Sequence, residues 1–472
     1  MRRREFLEAS LALSLAACGP RAPSSSKLPI VIVGAGLAGL TVARELAARG
    51  RDVMVLEAQD RPGGRIFTVR APLATDAWVE CGAIHVVGDP DLLDLAKSVG
   101  VSVVRPKGPT GLARVRLREG KRERYEPGDE IPPRFELRED ERKLAFFDRV
   151  ARTFSIVKGV DPSSPIGTFA KYDSVNALEM LGSLGASPGL VAELVEAFVA
   201  DRPERLSGGF LLQQLAGFFR DYDLGAAGGR FEGGTDRLPV ALARELGERV
   251  VYRAEVRRID VKGEVARVSF EQGGASHTVE ASRIVIAVPF SVLRGLVLDA
   301  PLRDAKRRVI RELPMARAAR AFAAMDRRFW IEQGEQGDAD TDAPLGAVRD
   351  ETKAQVGEGG ILGAYLVRDA AERWTSLAKD ARREAFLAHL ERVFPGAKAR
   401  TTAFFEHAWD EDPFAKGAYA YYEKGQLATL GPLAAAPEGV LHFAGDHTSA
   451  RPGWMHGAVA SAKRVVREIT ST

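Results

Sequence analysis

Apolar positions change their period twice within the first sixty residues. Leu28 to Val33 is an unbroken apolar run that stops at Gly34, the pattern of a buried strand. From Leu37 to Arg49 apolar residues recur every three to four positions, which predicts a helix stopped by Gly50. Asp52 to Glu57 returns to a short apolar run, so the three segments predict one βαβ unit. Gly111 to Tyr125 sets Val115 and Leu117 among charges around Gly120, a hairpin pattern. Leu144, Phe147, Val150, Phe154 and Val157 share helical spacing, so Glu136 to Val157 is expected to be one amphipathic helix. Leu190 to Ala200 repeats the pattern, and residues 140–205 are expected to be mostly helical. A glycine turn then precedes a helix over Leu238 to Leu246. Strands are expected at Val250 to Ala254, Ala266 to Phe270, and Arg283 to Val288, the last closed by Pro289. Gly334 to Asp342 is acidic with glycines, so it is expected to be a solvated loop. A helix over Asp380 to Val393, a strand over Val440 to Ala444 and a helix over Gly457 to Ile469 complete the pattern.

A chain of 472 residues exceeds one ordinary core and predicts two or three domains. Apolar residues at 45% and charged residues at 28% give a globular balance, which sets disorder aside. The net charge of +3 is too small for this length to suggest a nucleic-acid partner. The two cysteines, Cys18 and Cys81, exclude a disulfide framework, and no C-x-x-C pair offers a zinc or redox site. His442, His447 and His456 lack metal-ligand spacing, so no metal is expected. No nucleophile elbow or Cys–His arrangement is present.

The chain begins with Arg2-Arg3-Arg4-Glu5-Phe6-Leu7, followed by small apolar residues from Ala9 to Ala17. This resembles a twin-arginine export signal, and Leu15-Ala16-Ala17-Cys18 resembles a lipobox. The expectation is a signal over residues 1–18 with a lipid on Cys18, then a tether over residues 19–27. The protein would be exported, either periplasmic or membrane-anchored through that lipid. The competing reading is a basic amphipathic helix belonging to the folded domain.

The chemistry starts at Gly34-Ala35-Gly36-Leu37-Ala38-Gly39, a G-x-G-x-x-G loop between a strand and a helix. Gly34 allows the tight turn, Gly36 lets backbone approach a pyrophosphate, and Gly39 lets helix and strand pack closely. Helix N–H groups and the helix dipole then face the phosphates. Glu57 ends the second strand, placed to accept both ribose hydroxyls of an adenosine. Together these predict dinucleotide binding. Arg61-Pro62-Gly63-Gly64-Arg65 follows, a second glycine pair whose arginine could hold the diphosphate from the other side.

VIVGAGLAGL and VLEAQDRPGGRIFT together resemble the signature of the flavin amine oxidase superfamily, which includes monoamine oxidases and L-amino acid oxidases. Further motifs resemble the family at Glu232 to Leu238, Ala254-Glu255-Val256, Leu441 to Asp446 and Gly453 to Ala458. The likeness runs from about 28 to 472 and is weakest over 106–205. It implies an α/β fold: a Rossmann-like FAD-binding domain of the glutathione-reductase/amine-oxidase type, interleaved with an α+β substrate domain. The first would comprise 28–105, 206–290 and 405–472, the second 106–205 and 291–404.

The resemblance also implies site residues. FAD would be held by Gly34, Gly36, Leu37, Ala38, Gly39, Glu57, Ala58, Gly64 and Arg65, with Gly82, Ala83, Ile84 and His85 along another wall. Val256 would meet the adenine side, Gly445 and Asp446 the ribityl-phosphate side, and Gly453, Trp454, Met455 and Ala458 the ring. Tyr419 and Trp454 would form an aromatic cage for the amine. Arg320 lines up with the lysine that holds a water near the flavin in many relatives, with Arg317 as its rival. Ala418 stands where covalently flavinylated relatives carry cysteine, which implies non-covalent FAD. His85 stands where L-amino acid oxidases of the venom type carry a carboxylate-gripping arginine. The implied activity is oxidation of a primary or secondary amine to an imine, with O2 or a redox acceptor taking the electrons. L-amino acid oxidation, C–C desaturation and a lipoprotein keeping FAD only as structure stay open, as does a homodimer.

Overall fold

The computed structural model describes residues 28–70, 77–105, 107–162, 167–199, 201–223, 229–353 and 355–471. The expected signal, Cys18 and the tether, with Ala200, lie outside the described residues.

The βαβ unit forms as strand Ile30–Val33, helix Leu37–Ala48 and strand Val53–Leu56. Its strands pair in parallel, Ile30 with Val53 through Val33 with Leu56. Arg283–Ile286 and then Leu441–Phe443 extend the sheet on one side, and Val250–Val251 on the other, all in parallel. Side chains alternate across the sheet. Ile30 and Ile32 join a core with Leu40 and Leu46 of the first helix and Val459 and Val465 of the last. Val31 and Val33 join another core with Ile284, Ile286 and Phe443. Both faces are covered, which is why these strands read as continuous apolar runs.

A four-stranded sheet, in the order Ala275–Ala281, Val265–Gln272, Glu255–Lys262 and Val297–Asp299, leans on this layer. A seven-stranded sheet is ordered Thr401–Ala408, Ala318–Met325, Gly360–Val367, Val348–Asp350, Glu335–Thr341, Ala113–Arg118 and Lys121–Tyr125. The last two are the expected hairpin. Every residue of Ala318–Met325 is buried. The architecture is therefore α/β, a Rossmann-like parallel sheet interleaved with a mixed sheet and helices.

Two expectations fail for identifiable reasons. The stretch over Gly334 to Asp342 is not a solvated loop. Glu335–Thr341 is a strand inside the seven-stranded sheet, with Glu335, Gly337, Ala339 and Thr341 buried. Its period of two was hidden because small residues occupy the inner face and the acids find cations. Glu335 meets Arg122 at 2.5 Å, and Asp338 meets Lys353 at 2.5 Å. The Glu136 to Val157 stretch is not one helix either. It breaks into Glu139–Arg142, Phe146–Thr153 and a 3-10 turn over Ser155–Val157. Arg149 donates to the Glu141 and Leu144 carbonyls, which a continuous helix would need for its own N–H groups. The buried Glu141 carboxylate accepts from Arg138 N and from Ser187 N and Oγ, fixing the break. Phe147 consequently turns outward and is 54% exposed.

Glu80 supplies a pH test of this framework. It is buried and accepts from Thr68 Oγ1 and Thr235 N, both at 2.8 Å, joining the Thr68–Val69 strand to the Gly233–Asp236 turn. Burial pushes its carboxyl up to about 7. A folded value above the unfolded one means a contribution complete below the ordinary 4.5 and lost as pH rises through about 7. Glu80→Gln should flatten the fall in melting temperature between pH 5 and pH 8, and thermal melts at both values check it.

Candidate active site

The parallel strands end together. Val33, Leu56, Ala287 and Gly445 stand at their C-terminal ends and line one cleft of about 430 Å³. Crevices at this edge are where doubly wound sheets bind ligands. Of the residues expected to hold FAD or the amine, all except Gly39 line this cleft, while Arg317, the rival of Arg320, does not.

The glycine loop fits a dinucleotide by geometry. A Cβ on Gly36 would meet no protein atom within 4 Å, so the cleft itself receives that face of the backbone. A Cβ on Gly39 would lie 2.1 Å from the Gly34 carbonyl oxygen, so this glycine is required by packing. Gly36 is the N-cap of the first helix and has no side-chain cap, which leaves helix N–H groups for an anion. These features suit the diphosphate of FAD.

Glu57 does more than await a ribose. Its Oε2 accepts from Ala35 N at 2.7 Å and its Oε1 from Gln59 N at 2.9 Å. The carboxylate thus holds the glycine loop in shape, and burial raises its pKa despite those bonds.

Arg65 is spent differently from the expectation. Its fork donates to Asp446 Oδ1 at 2.5 Å and to the Ala418 carbonyl at 2.9 Å. Gly453 N donates to Asp446 Oδ2 at 2.7 Å. The reason is the cost of a buried carboxylate, which demands a counter-charge. Burial acts to raise the Asp446 pKa, but Arg65, His447 and the Gly453 N–H outweigh it and hold the carboxyl below its ordinary range. One ion pair thereby joins the Gly64-Arg65 turn, the Ala418 segment and the Gly453 cover.

On the facing wall, Cys81 is buried, and burial pushes its thiol far above the ordinary range. A protonated thiol is a poor nucleophile. His85 lines the cleft, where lost solvation, then Arg230 and Arg320, pull its imidazole below the ordinary value.

Arg320, rather than Arg317, reaches the cleft. Arg317 has a 42% exposed side chain and pairs with Glu372. Arg320 is buried and donates to Glu351 at 2.6 Å. Tyr419 stands against the bare Gly453 backbone, where a Cβ would lie 3.3 Å from its ring. Its hydroxyl is 3.3 Å from the hydroxyl of Tyr365. Tyr365 keeps 48% of its surface open, yet the protein packed around the two hydroxyls raises both phenols, so both stay protonated. Trp454 completes the pair, with the Arg451 guanidinium 5.5 Å from its ring centroid. Tyr365, Trp409, Lys416 and Glu351 escaped the sequence reading; the first three line the cleft. Tyr365 lies directly across the sheet from Arg320, a register no local motif records.

The three histidines part company. His442 bonds Glu468 at 2.9 Å, His447 packs edge-on against Phe290, and His456 lies 5.8 Å from Trp454. Burial pulls His447 and His456 to about 3, so both are neutral.

A profile of the family described as flavin containing amine oxidoreductase matches residues 37–470. A flavin-containing amine oxidase of Oncorhynchus mykiss is 26% identical over 458 residues, covering 93% of this chain and 85% of that protein. A putative L-amino-acid oxidase of Bacillus subtilis is 26% identical over 479 residues, covering 94% of this chain and 96% of that protein. A putrescine oxidase solved with putrescine shares the fold with a TM-score of 0.80 at 24% identity, covering 95% of this chain and 100% of that one. The cyclohexylamine oxidase of Brevibacterium oxydans does so at 0.77 and 23%, covering 94% and 100%. With the glycine loop, the paired Asp446 and the aromatic wall in one cleft, the chain belongs to the flavin-containing amine oxidoreductase family, and FAD is its cofactor.

Proposed function

We propose that this enzyme oxidises a primary or secondary amine that carries no α-carboxylate, bound between Tyr419 and Trp454. One observation carries the reading. Among the described residues, each of the three arginines that line the cleft already has a carboxylate partner: Arg65 has Asp446, Arg257 has Glu255 and Glu271 in an exposed cluster, and Arg320 has Glu351. Bidentate capture of a carboxylate needs a free planar fork, and His85 does not supply one. The two solved structures are oxidases of putrescine and of cyclohexylamine, which supports the same substrate class.

FAD, when bound, supplies the two-electron oxidation of amine to imine, which water then hydrolyses to carbonyl and ammonia or a smaller amine. Gly36 and the first helix would hold its diphosphate, while Asp446 and the Gly453 segment would close the other end. Tyr419 and Trp454 present π faces that exclude water and orient the amine. Ala418 offers no thiol and Cys81 is buried, so attachment is non-covalent, and acid precipitation should release the flavin to the supernatant.

Anaerobic mixing with phenethylamine and with phenylalanine tests the substrate class. The amine should bleach the flavin with a rate at saturation, divided by the half-saturating concentration, at least 100-fold above that of the amino acid. The reverse order would replace this reading by L-amino acid oxidation. Arg320 in place of the family lysine favours a slow reaction with oxygen and a separate electron acceptor. Stopped-flow reoxidation in air should therefore be slower in the wild type than in Arg320→Lys, and an equally fast wild type would remove that part of the proposal. The Arg2-Arg3 leader further supports export, and fractionation of the producing cells would check it.

A further inference from the structure

Arg320 on the cleft wall has a charge partner behind it that no local motif revealed. Arg320 and Glu351 meet at 2.6 Å with side chains only 5% and 8% exposed. They sit on different segments: Arg320 within the Ala318–Met325 strand, and Glu351 just past the Val348–Asp350 strand. Their strands are both neighbours of Gly360–Val367. Two bonds fix the Glu351 backbone: its N–H donates to Ile361 O at 2.9 Å, and its carbonyl accepts from the Gln355 side-chain Nε2 at 3.0 Å. The space for it is made by a missing side chain. A Cβ on Gly363 would lie 2.9 Å from both Glu351 Cγ and Oε1.

The guanidinium is held from other sides as well. Its carbon lies 5.0 Å from the Phe322 ring centroid and 5.5 Å from that of Tyr365. Its Nε is buried and has no hydrogen-bond partner among the described residues. A surface ion pair would not be built this way, because exposed pairs gain little and tolerate many geometries. A buried pair is costly to desolvate and is weak evidence for stability. The geometry calls for another use of this pair.

We propose that Glu351 is a positioning residue whose carboxylate holds the Arg320 guanidinium in one orientation on the cleft wall and cancels its charge there. Guanidinium does not deprotonate in proteins. The net charge of this wall is therefore set by Glu351. Without it, an uncompensated cation would face the cofactor cleft and favour whichever cofactor state carries more negative charge. The inference rests on FAD being the ligand of this cleft.

The test uses the holoenzyme, with the wild type first shown to hold FAD by its visible absorbance; a wild type without flavin would overturn the FAD reading itself. Glu351→Gln and Glu351→Asp are then reduced slowly in equilibrium with a dye of known potential. Glu351→Gln should shift the ratio of reduced to oxidised flavin at least tenfold toward reduced, about 30 mV for a two-electron couple. Glu351→Asp, which keeps the charge, should stay closer to the wild type than to Glu351→Gln. A purely structural pair would change melting temperature and leave the ratio within threefold of the wild type, which overturns the proposal. Loss of FAD from both variants also overturns it, since the pair would then be a folding element.

Discussion

Gly36→Val is expected to fold normally and purify without flavin. The reasoning depends on which side of this residue is full. A Cβ at Gly36 meets no protein atom within 4 Å, and its φ of −69° and ψ of 171° are open to any L-residue. The first atom of a side chain there disturbs no packing. It fills the space where a pyrophosphate must approach the backbone. Gly39→Val is the contrasting case, because its Cβ would lie 2.1 Å from Gly34 O and 3.1 Å from Ile32 Cγ2. That variant should lose flavin and stability together. The ratio of flavin to protein absorbance, read beside a circular-dichroism melt, separates the two. A Gly36→Val protein that keeps stoichiometric FAD would show that the diphosphate lies elsewhere.

The second large effect is expected at Asp446. Asp446→Asn preserves shape and an acceptor for Gly453 N, but leaves the Arg65 cation without its counter-charge. Breaking fully buried pairs costs about 3–5 kcal/mol. Here the Arg65 side chain is 22% exposed, so solvent screening lowers the expected loss to roughly 2 kcal/mol. The loss should grow in the holoenzyme, because the same carboxylate holds the Gly453 cover. The folded Asp446 pKa is depressed below 3.8, so its contribution is complete above about pH 4 and disappears as pH falls through the folded value. The stability gap between wild type and Asp446→Asn should therefore be constant at neutral pH and close below pH 4. Urea unfolding across that range measures it, and a gap that persists at acid pH would rule out the charge as its source.

Legibility in the sequence followed the range of the forces involved. The glycine loop was readable because strand, turn and helix are adjacent in the chain, and each glycine answers a local steric demand. The roles of Glu57 and Arg65 were half readable. Their placement in the cofactor cleft was evident from their motifs, but not the work they do inside the protein. Glu57 serves Ala35 and Gln59, and Arg65 serves a carboxylate 381 positions away. The broken helix at Glu141 had the same cause, since its partners Ser187 and Arg149 override the local period.

The sequence by itself determined that this chain winds a parallel sheet around a glycine loop, binds FAD there, and carries Tyr419 and Trp454 toward it. Tertiary structure alone decided which arginine faces the cleft, that Glu351 neutralises it, and that Tyr365 stands beside Tyr419. Those outcomes depend on strand register and on burial. Register places Tyr365 opposite Arg320 across a sheet, and burial makes each charge seek a partner wherever the fold brings one near.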